Sequence, residues 1–185
     1  MKKLLLFIPL ISASLLQAQK IEISAAYGTP SIFGVSSSLY DFVGNTITGN
    51  LEETSNSNGV LSLNVMMYNR DMKWRYGLEF NLESFDEKGT GFTSQSLVSV
   101  QPRVDYFWSR ADRKLRLYSG VSAGVLFKYA KYIDKTSKAE EKDNLTTFGF
   151  NIMPIGLRYG KDFGIFIEPN IGTRGFVNAG VSYIF

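Results

Sequence analysis

The chain has 185 residues, which is enough for one domain with a complete core. It contains no cysteine and no histidine, which excludes disulfides, an acylated lipoprotein cysteine and catalysis that depends on a thiolate or an imidazole. Two of the 20 basic residues, Lys2 and Lys3, stand at the start, and the others nearly balance the 17 acidic residues. Charge therefore gives no support for a nucleic-acid partner.

The first eighteen residues have the pattern of a cleaved signal peptide. Lys2 and Lys3 precede an apolar run from Leu4 to Leu16, and Ala18 provides a small residue for cleavage. The run is shorter than the roughly 20 residues that a membrane-spanning helix needs, and an amphipathic or buried helix is the alternative. We expect a signal peptide over residues 1–18 and one mature domain over residues 19–185.

Apolar and polar residues then alternate in eight segments separated by turn signals, which predicts β-strands with one apolar face. The third segment is the clearest, because Leu78 and Phe80 alternate with Glu79 and Asn81. The phase of the sixth segment slips by one at Met153-Pro154, which predicts a β-bulge. The segments are Lys20–Tyr27, Val60–Asn69, Trp74–Glu83, Leu97–Trp108, Leu115–Ala130, Leu145–Tyr159, Phe163–Ile171 and Phe176–Phe185.

The connections between these segments fall into two classes. Long loops are expected over Gly28–Gly59, Asp86–Ser96 and Lys131–Asn144. Short turns are expected over Arg70–Lys73, Ser109–Lys114 and Gly160–Asp162. Short turns at one end of an antiparallel meander and long loops at the other are typical of transmembrane barrels, whose short turns face the periplasm.

The polar faces of the strands carry charges of both signs among small residues. The lumen of an eight-stranded barrel is just wide enough to be filled by side chains, so these charges are expected to pair inside it. A hairpin centred near Gly91 would place Glu79 roughly opposite Arg103, and Asn81 opposite Gln101. The predicted lumen charge network consists of Arg75, Glu79, Glu83, Arg103, Asp105, Arg116, Arg158 and Glu168.

Aromatic residues cluster where the strands meet the short turns. Amphipathic rings favour the boundary between water and lipid, so the cluster predicts an aromatic girdle at the periplasmic interface. An ordinary aromatic core is the alternative. The predicted girdle consists of Trp74, Tyr76, Tyr106, Trp108, Tyr159, Phe163, Tyr183 and Phe185.

The last strand carries a family resemblance. Its ending, Val181-Ser182-Tyr183-Ile184-Phe185, resembles the C-terminal signal of outer-membrane barrels, which the barrel-insertion machinery reads in that family. Together with the signal peptide and the eight segments, residues 20–185 resemble the small outer-membrane β-barrel proteins of the OmpA/OmpX and PorT-like types. The resemblance implies an all-β, eight-stranded antiparallel up-and-down transmembrane β-barrel in a Gram-negative outer membrane, in contact with lipid and lipopolysaccharide.

Catalytic motifs receive little support. Gly120-Val121-Ser122-Ala123-Gly124 matches the nucleophile elbow G-x-S-x-G, but it lies within an uninterrupted strand pattern and the chain has no histidine base. Glu79 and Glu83 share a face about 13 Å apart, which is too far for paired-carboxylate hydrolysis. We expect no catalytic, cofactor or metal site.

Three functions remain open. The leading hypothesis is a non-enzymatic outer-membrane barrel with a structural role or a surface-recognition role through its extracellular loops, whose ligand the sequence does not identify. The second is a narrow outer-membrane channel. The third is a soluble, lipocalin-like ligand carrier, which requires an apolar lumen and a polar exterior.

Overall fold

A computed structural model describes residues 20–36, 56–86, 92–133 and 140–185. The predicted signal peptide and most of the predicted first loop lie outside the described residues. A helical turn occupies residues 32–36, and no helix in the described ranges is long and apolar enough to cross a membrane. The strands are β1 (Lys20–Gly28), β2 (Asn56–Tyr68), β3 (Trp74–Asp86), β4 (Phe92–Phe107), β5 (Leu115–Ile133), β6 (Glu140–Gly160), β7 (Phe163–Pro169), β8 (Ile171–Gly172) and β9 (Val177–Ile184).

The strands close into one antiparallel ring. Each strand from β1 to β6 pairs with the next, β6 pairs with both β7 and β8, and β9 pairs with β7 and returns to β1. Asn170 separates β7 from β8, which together form one strand of the ring. The predicted eight-stranded antiparallel barrel is therefore confirmed.

Within the closed ring, the two faces of the strands differ as the alternation predicts. On β3, Leu78 and Phe80 are 46% and 42% exposed, whereas Glu79 between them is fully buried. On β4, Arg103 is only 3% exposed. Apolar side chains thus cover the outside of the barrel, and polar and charged side chains fill the inside.

The predicted bulge on β6 is present. The pairing of β5 with β6 shifts between Tyr118 and Gly120, and β6 has one extra residue at this point. Pro154 and Ile155 are consecutively exposed because of it, which restores the inward phase at Arg158. The bulge also accommodates a proline, which has no N–H for the strand ladder.

Several strands extend farther toward the long-loop end than the apolar pattern indicates. β2 begins at Asn56 instead of Val60, β4 begins at Phe92 instead of Leu97, and β6 begins at Glu140 instead of Leu145. The predicted loops are correspondingly too long. Backbone pairing continues here although the added residues are mostly polar. A pattern based on one apolar face cannot detect such a segment.

The short turns are held by local hydrogen bonds. Between β2 and β3, the side chain of Asn69 accepts hydrogen bonds from the backbone N–H groups of Lys73 and Trp74, at 3.0 and 3.1 Å. Met72 has a positive φ of 51°, so the turn closes through one left-handed residue. The turn fixes where β3 starts and therefore which of its side chains enter the lumen.

Candidate functional site

The predicted lumen residues all lie inside the barrel, but they do not form one network. Ion pairs connect six of them, whereas Glu83 and Arg116 stand apart near opposite ends. The six connected residues are Arg75, Glu79, Arg103, Asp105, Arg158 and Glu168.

Arg75 on β3 joins two carboxylates, Glu22 from β1 and Asp105 from β4. Its Nη1 lies 2.7 Å from Glu22 Oε1, and its Nη2 lies 2.6 Å from Asp105 Oδ2. Tyr68 donates a hydrogen bond to the other oxygen of Glu22. Arg158 lies 3.6 Å from Glu22 and donates its Nε–H to Ser182 at 2.9 Å. These contacts connect six strands of the ring, β1, β2, β3, β4, β6 and β9.

Arg103 is the centre of the network, because each nitrogen of its guanidinium contacts a different carboxylate. Nε lies 2.8 Å from Asp105, Nη1 lies 3.2 Å from Glu79, and Nη2 lies 2.9 Å from Glu168. Arg174 reaches the same group, with Nη1 2.6 Å from Glu168 and 3.4 Å from Glu79. Four arginines and four carboxylates are thus paired in a nearly water-free interior.

The sequence analysis did not assign Glu22 and Arg174 to this network. The alternation places Glu22 on the polar face of β1, so the sequence pattern could have predicted that Glu22 points into the lumen. Arg174 lies in the turn between β8 and β9, where alternation has no meaning. Its burial follows from Asn178, whose amide oxygen accepts from the Arg174 guanidinium at 3.0 Å and whose amide nitrogen faces Glu168 at 3.2 Å.

The expected alignment, with Glu79 roughly opposite Arg103, differs from the observed register by two residues, although the two side chains do form an ion pair. Glu79 is opposite Gln101, and Arg103 is opposite Gly77. The predicted pair of Asn81 with Gln101 is shifted in the same way, because Asn81 is opposite Ser99. A Cβ atom at Gly77 would lie 2.0 Å from the carbonyl oxygen of Val65, so this position is packed closely against β2. The long side chain of Arg103 reaches Glu79 diagonally.

Arg116 and Glu83 are held by other partners. Arg116 stacks on the Phe107 ring at 3.8 Å and donates a hydrogen bond to the carbonyl of Met72. Glu83 accepts the backbone N–H of Ser31 at 3.0 Å and also the hydroxyls of Ser31 and Ser57. Glu83 therefore attaches the residues before the helical turn at 32–36 to the barrel wall.

Neutral groups fill the rest of the lumen. Towards the short turns, Tyr68, Phe107, Tyr118 and Met153 pack together, and Phe107 stacks on Tyr118 at 4.8 Å. Towards the loops, Phe33 packs on a second apolar cluster, and a nearby cavity of about 10 Å³ has room for roughly one water molecule. Among the described residues, no group of three or more acidic side chains is arranged to hold a metal ion.

The G-x-S-x-G sequence has a packing role in this interior. Ser122 donates hydrogen bonds to Glu79 and Gln101, at 3.2 and 2.8 Å. Gly120 faces Asp105, whose Oδ1 would lie 1.9 Å from a Cβ atom added at position 120.

Replacing Gly120 with alanine is therefore expected to displace Asp105 from Arg75 and Arg103 and to destabilise the barrel by about 1–3 kcal/mol. Urea unfolding of the refolded protein measures the effect. Ala123→Ser, at an exposed position three residues along the same strand, is the control and should change stability little. Equal stability of the two variants would contradict the packing role.

The predicted girdle residues lie on the outer surface at the short-turn end. Trp74 and Tyr106 are cross-strand neighbours whose ring centroids are 4.8 Å apart, and Tyr106 contacts Trp108 at 5.7 Å. On the other side of the ring, Phe163 is opposite Tyr183, which contacts Phe185 at 4.8 Å. Tyr76 and Tyr159 also lie on the outer face, with Tyr159 among the exposed side chains.

Comparison with known proteins gives structural matches only. No family model matches the chain, and no curated protein matches it in sequence. The N-terminal β-barrel domain of Pseudomonas aeruginosa OprF matches 91% of this chain and 98% of its own, with 14% identity and a TM-score of 0.52. Neisserial surface protein A matches 89% of this chain and 93% of its own, with 9% identity and a TM-score of 0.51. The chain therefore has the fold of the small outer-membrane β-barrels.

Proposed function

We propose that the chain is a non-enzymatic integral outer-membrane protein, in which a closed barrel serves as a scaffold and the long-loop end serves for surface recognition. The observation that carries this proposal is the inverted distribution of side chains. Apolar side chains point outward from every strand of the ring, while paired ions occupy the lumen. A continuous apolar belt of this kind is suited to lipid and would cause aggregation in water.

The alternatives fit this distribution less well. A soluble lipocalin-like carrier needs an apolar lumen, and this lumen contains Arg103, Glu79 and their partners. A narrow channel needs an open path, and the ion pairs and the aromatic cluster around Phe107 oppose one. In planar bilayers the purified protein should show no stable single-channel conductance, whereas a channel would show discrete steps.

Extraction of membranes tests the membrane assignment directly. The protein should remain in the membrane pellet after washing with alkaline carbonate or urea, because the apolar belt contacts lipid. Purified protein in detergent should migrate faster on gels without heating than after boiling, as closed barrels do. Release of the protein by carbonate would contradict the proposal.

The proposed recognition surface is an arm formed by the ends of β5 and β6, with the start of β4 paired along the other edge of β5 as far as Tyr132. These strands have 19 and 21 residues, and roughly 9–11 suffice to cross a membrane. Among the described residues, the part of β6 before Asn151 pairs with β5 alone, and both of its faces are exposed from Asn144 to Phe148. Such a ribbon projects beyond the barrel wall and offers polar and apolar side chains to a partner.

A single introduced cysteine reports the orientation of this arm, because the native chain has none. Thr147→Cys on the arm should react with a membrane-impermeant maleimide in intact cells. Ala111→Cys, on the exposed short turn between β4 and β5, should react only after the outer membrane is opened. Both variants should react equally in detergent, and labelling of Ala111→Cys in intact cells would show that the orientation is reversed.

A further inference from the structure

A basic cavity opens at the short-turn end of the barrel. Its volume is about 260 Å³, and it lies between the turns that connect β2 to β3, β4 to β5 and β6 to β7. Five of its lining residues are basic and two are acidic, so the cavity has an excess of positive charge. The charged lining residues are Lys20, Arg113, Arg116, Arg158, Lys161, Asp112 and Asp162.

Arg116 lines this cavity, and no carboxylate within the described ranges forms an ion pair with it. The residue is only 2% exposed, and its Nε is buried without a hydrogen-bond partner among the described residues. Its only hydrogen bond in that part of the chain goes to the neutral carbonyl of Met72, and its guanidinium rests on Phe107. A buried cation without a carboxylate is costly unless an anion reaches it.

The strand register places a second arginine beside Arg116. Arg116 is directly opposite Arg158 in the pairing of β5 with β6, and like charges in this position repel each other. Arg158 uses its Nη atoms on the carbonyls of Gly160, Lys161 and Asp162, which carry no net charge. The two arginines therefore form a cationic pair at the mouth of the barrel.

The carboxylates of the described residues do not neutralise both arginines. Glu22 forms an ion pair with Arg158 at 3.6 Å, but it is shared with Arg75, which lies closer at 2.7 Å. Asp112 is exposed and pairs with Arg110 at 3.3 Å. Glu83 is attached to Ser31 near the opposite end.

We propose that this cavity is a binding site for a phosphate group, with Arg116 as its central ligand and Arg113, Lys161 and Lys20 around its rim. A phosphate offers several acceptor oxygens, and the planar arginine fork can bind two of them at once. The group could come from free phosphate or from a lipid headgroup of the adjoining leaflet. The site depends on the mouth of the barrel alone, so it stands independently of the function proposed for the arm.

Titration with inorganic phosphate in a maltoside detergent tests the site. Isothermal calorimetry at constant ionic strength should show saturable binding to the native protein. Arg116→Gln should weaken binding at least about tenfold. Arg110→Gln, on the same turn but outside the cavity, should bind as the native protein does. Equal binding by Arg116→Gln, or no saturable binding by the native protein, would overturn the proposal.

Two further variants test the site without changing a buried residue. Arg113→Gln and Lys161→Gln replace exposed side chains at the rim, so the barrel should still fold. Each variant should weaken phosphate binding severalfold. Phosphate should also raise the temperature of unfolding of the native protein, but not that of Arg116→Gln, because a ligand stabilises only a state that binds it. Unchanged affinity in both rim variants would argue against the site.

Phosphatidylglycerol added to the micelles separates the two sources of the phosphate group. If a lipid headgroup reaches the cavity, the lipid will compete and lower the apparent affinity for inorganic phosphate. If only free phosphate enters, the affinity will stay unchanged. Either result supports the site, provided that Arg116→Gln abolishes the binding that is measured.

Discussion

Replacing Arg103 with alanine is expected to destabilise the barrel by about 3–5 kcal/mol. The guanidinium of Arg103 contacts Asp105, Glu79 and Glu168, which are almost completely buried. Alanine would leave these carboxylates with fewer positive partners in an interior that water cannot easily enter. Reversible urea unfolding in lipid vesicles or detergent measures the loss of stability.

Arg110→Ala is the matched control for this substitution. Arg110 also forms an ion pair, with Asp112 at 3.3 Å, but its side chain is 80% exposed. Removal of such a surface pair should cost only about 0–1 kcal/mol. Arg103→Lys should recover part of the loss at best, because one ammonium cannot replace three separately directed nitrogens. A near-neutral effect of Arg103→Ala would mean that the lumen is solvated.

The alternation of side chains predicts most of the fold. In a strand, successive residues point to opposite faces. Leu78 therefore indicates the outer face of the barrel, and Glu79 indicates the inner face. The slip at Met153-Pro154 similarly predicts a bulge, because only an extra residue restores the phase. These features depend on local sequence alone, and the structure confirms them.

The exact partners inside the lumen depend on register and could not be read from one strand. A shift of two residues keeps every side chain on the same face, so the hydrophobic pattern does not distinguish Gln101 from Arg103 as the neighbour of Glu79. The position of the β3–β4 turn decides this register, and the turn sequence allows more than one. Arg174 was not predicted for a related reason. It lies in a turn, where alternation does not indicate a face, and its place in the lumen depends on how the closed ring positions that turn.

The sequence also does not reveal that Arg116 has no counter-ion in the part of the chain that the structure describes. The polar faces carry charges of both signs, which suggests general pairing. In the structure, Arg103 binds the carboxylates of Glu79, Asp105 and Glu168. Glu83 binds Ser31 near the other end of the barrel. The placement of these side chains, and not composition, leaves Arg116 with the Met72 carbonyl as its hydrogen-bond partner and no ion pair among the described residues.

Introducing arginine at Leu78 should have the second large effect. Leu78 is 46% exposed, it lies on the outer face of β3, and it stands four residues beyond Trp74 of the predicted girdle. If the outer face contacts lipid, Leu78→Arg places a charge near the middle of the bilayer and costs about 2–4 kcal/mol. Unfolding of the barrel in phospholipid vesicles measures this cost.

Leu145→Arg is the control that makes the Leu78 result specific. Leu145 is 55% exposed, so the two leucines present similar apolar area. It lies on the arm, however, and the stretch of β6 between Leu145 and Tyr159 is longer than a 9–11-residue span requires. Arginine at Leu145 should therefore meet water and change stability little. A cost at Leu78 as small as the cost at Leu145 would show that the environment of Leu78 is not lipid, because an arginine in water has no desolvation cost.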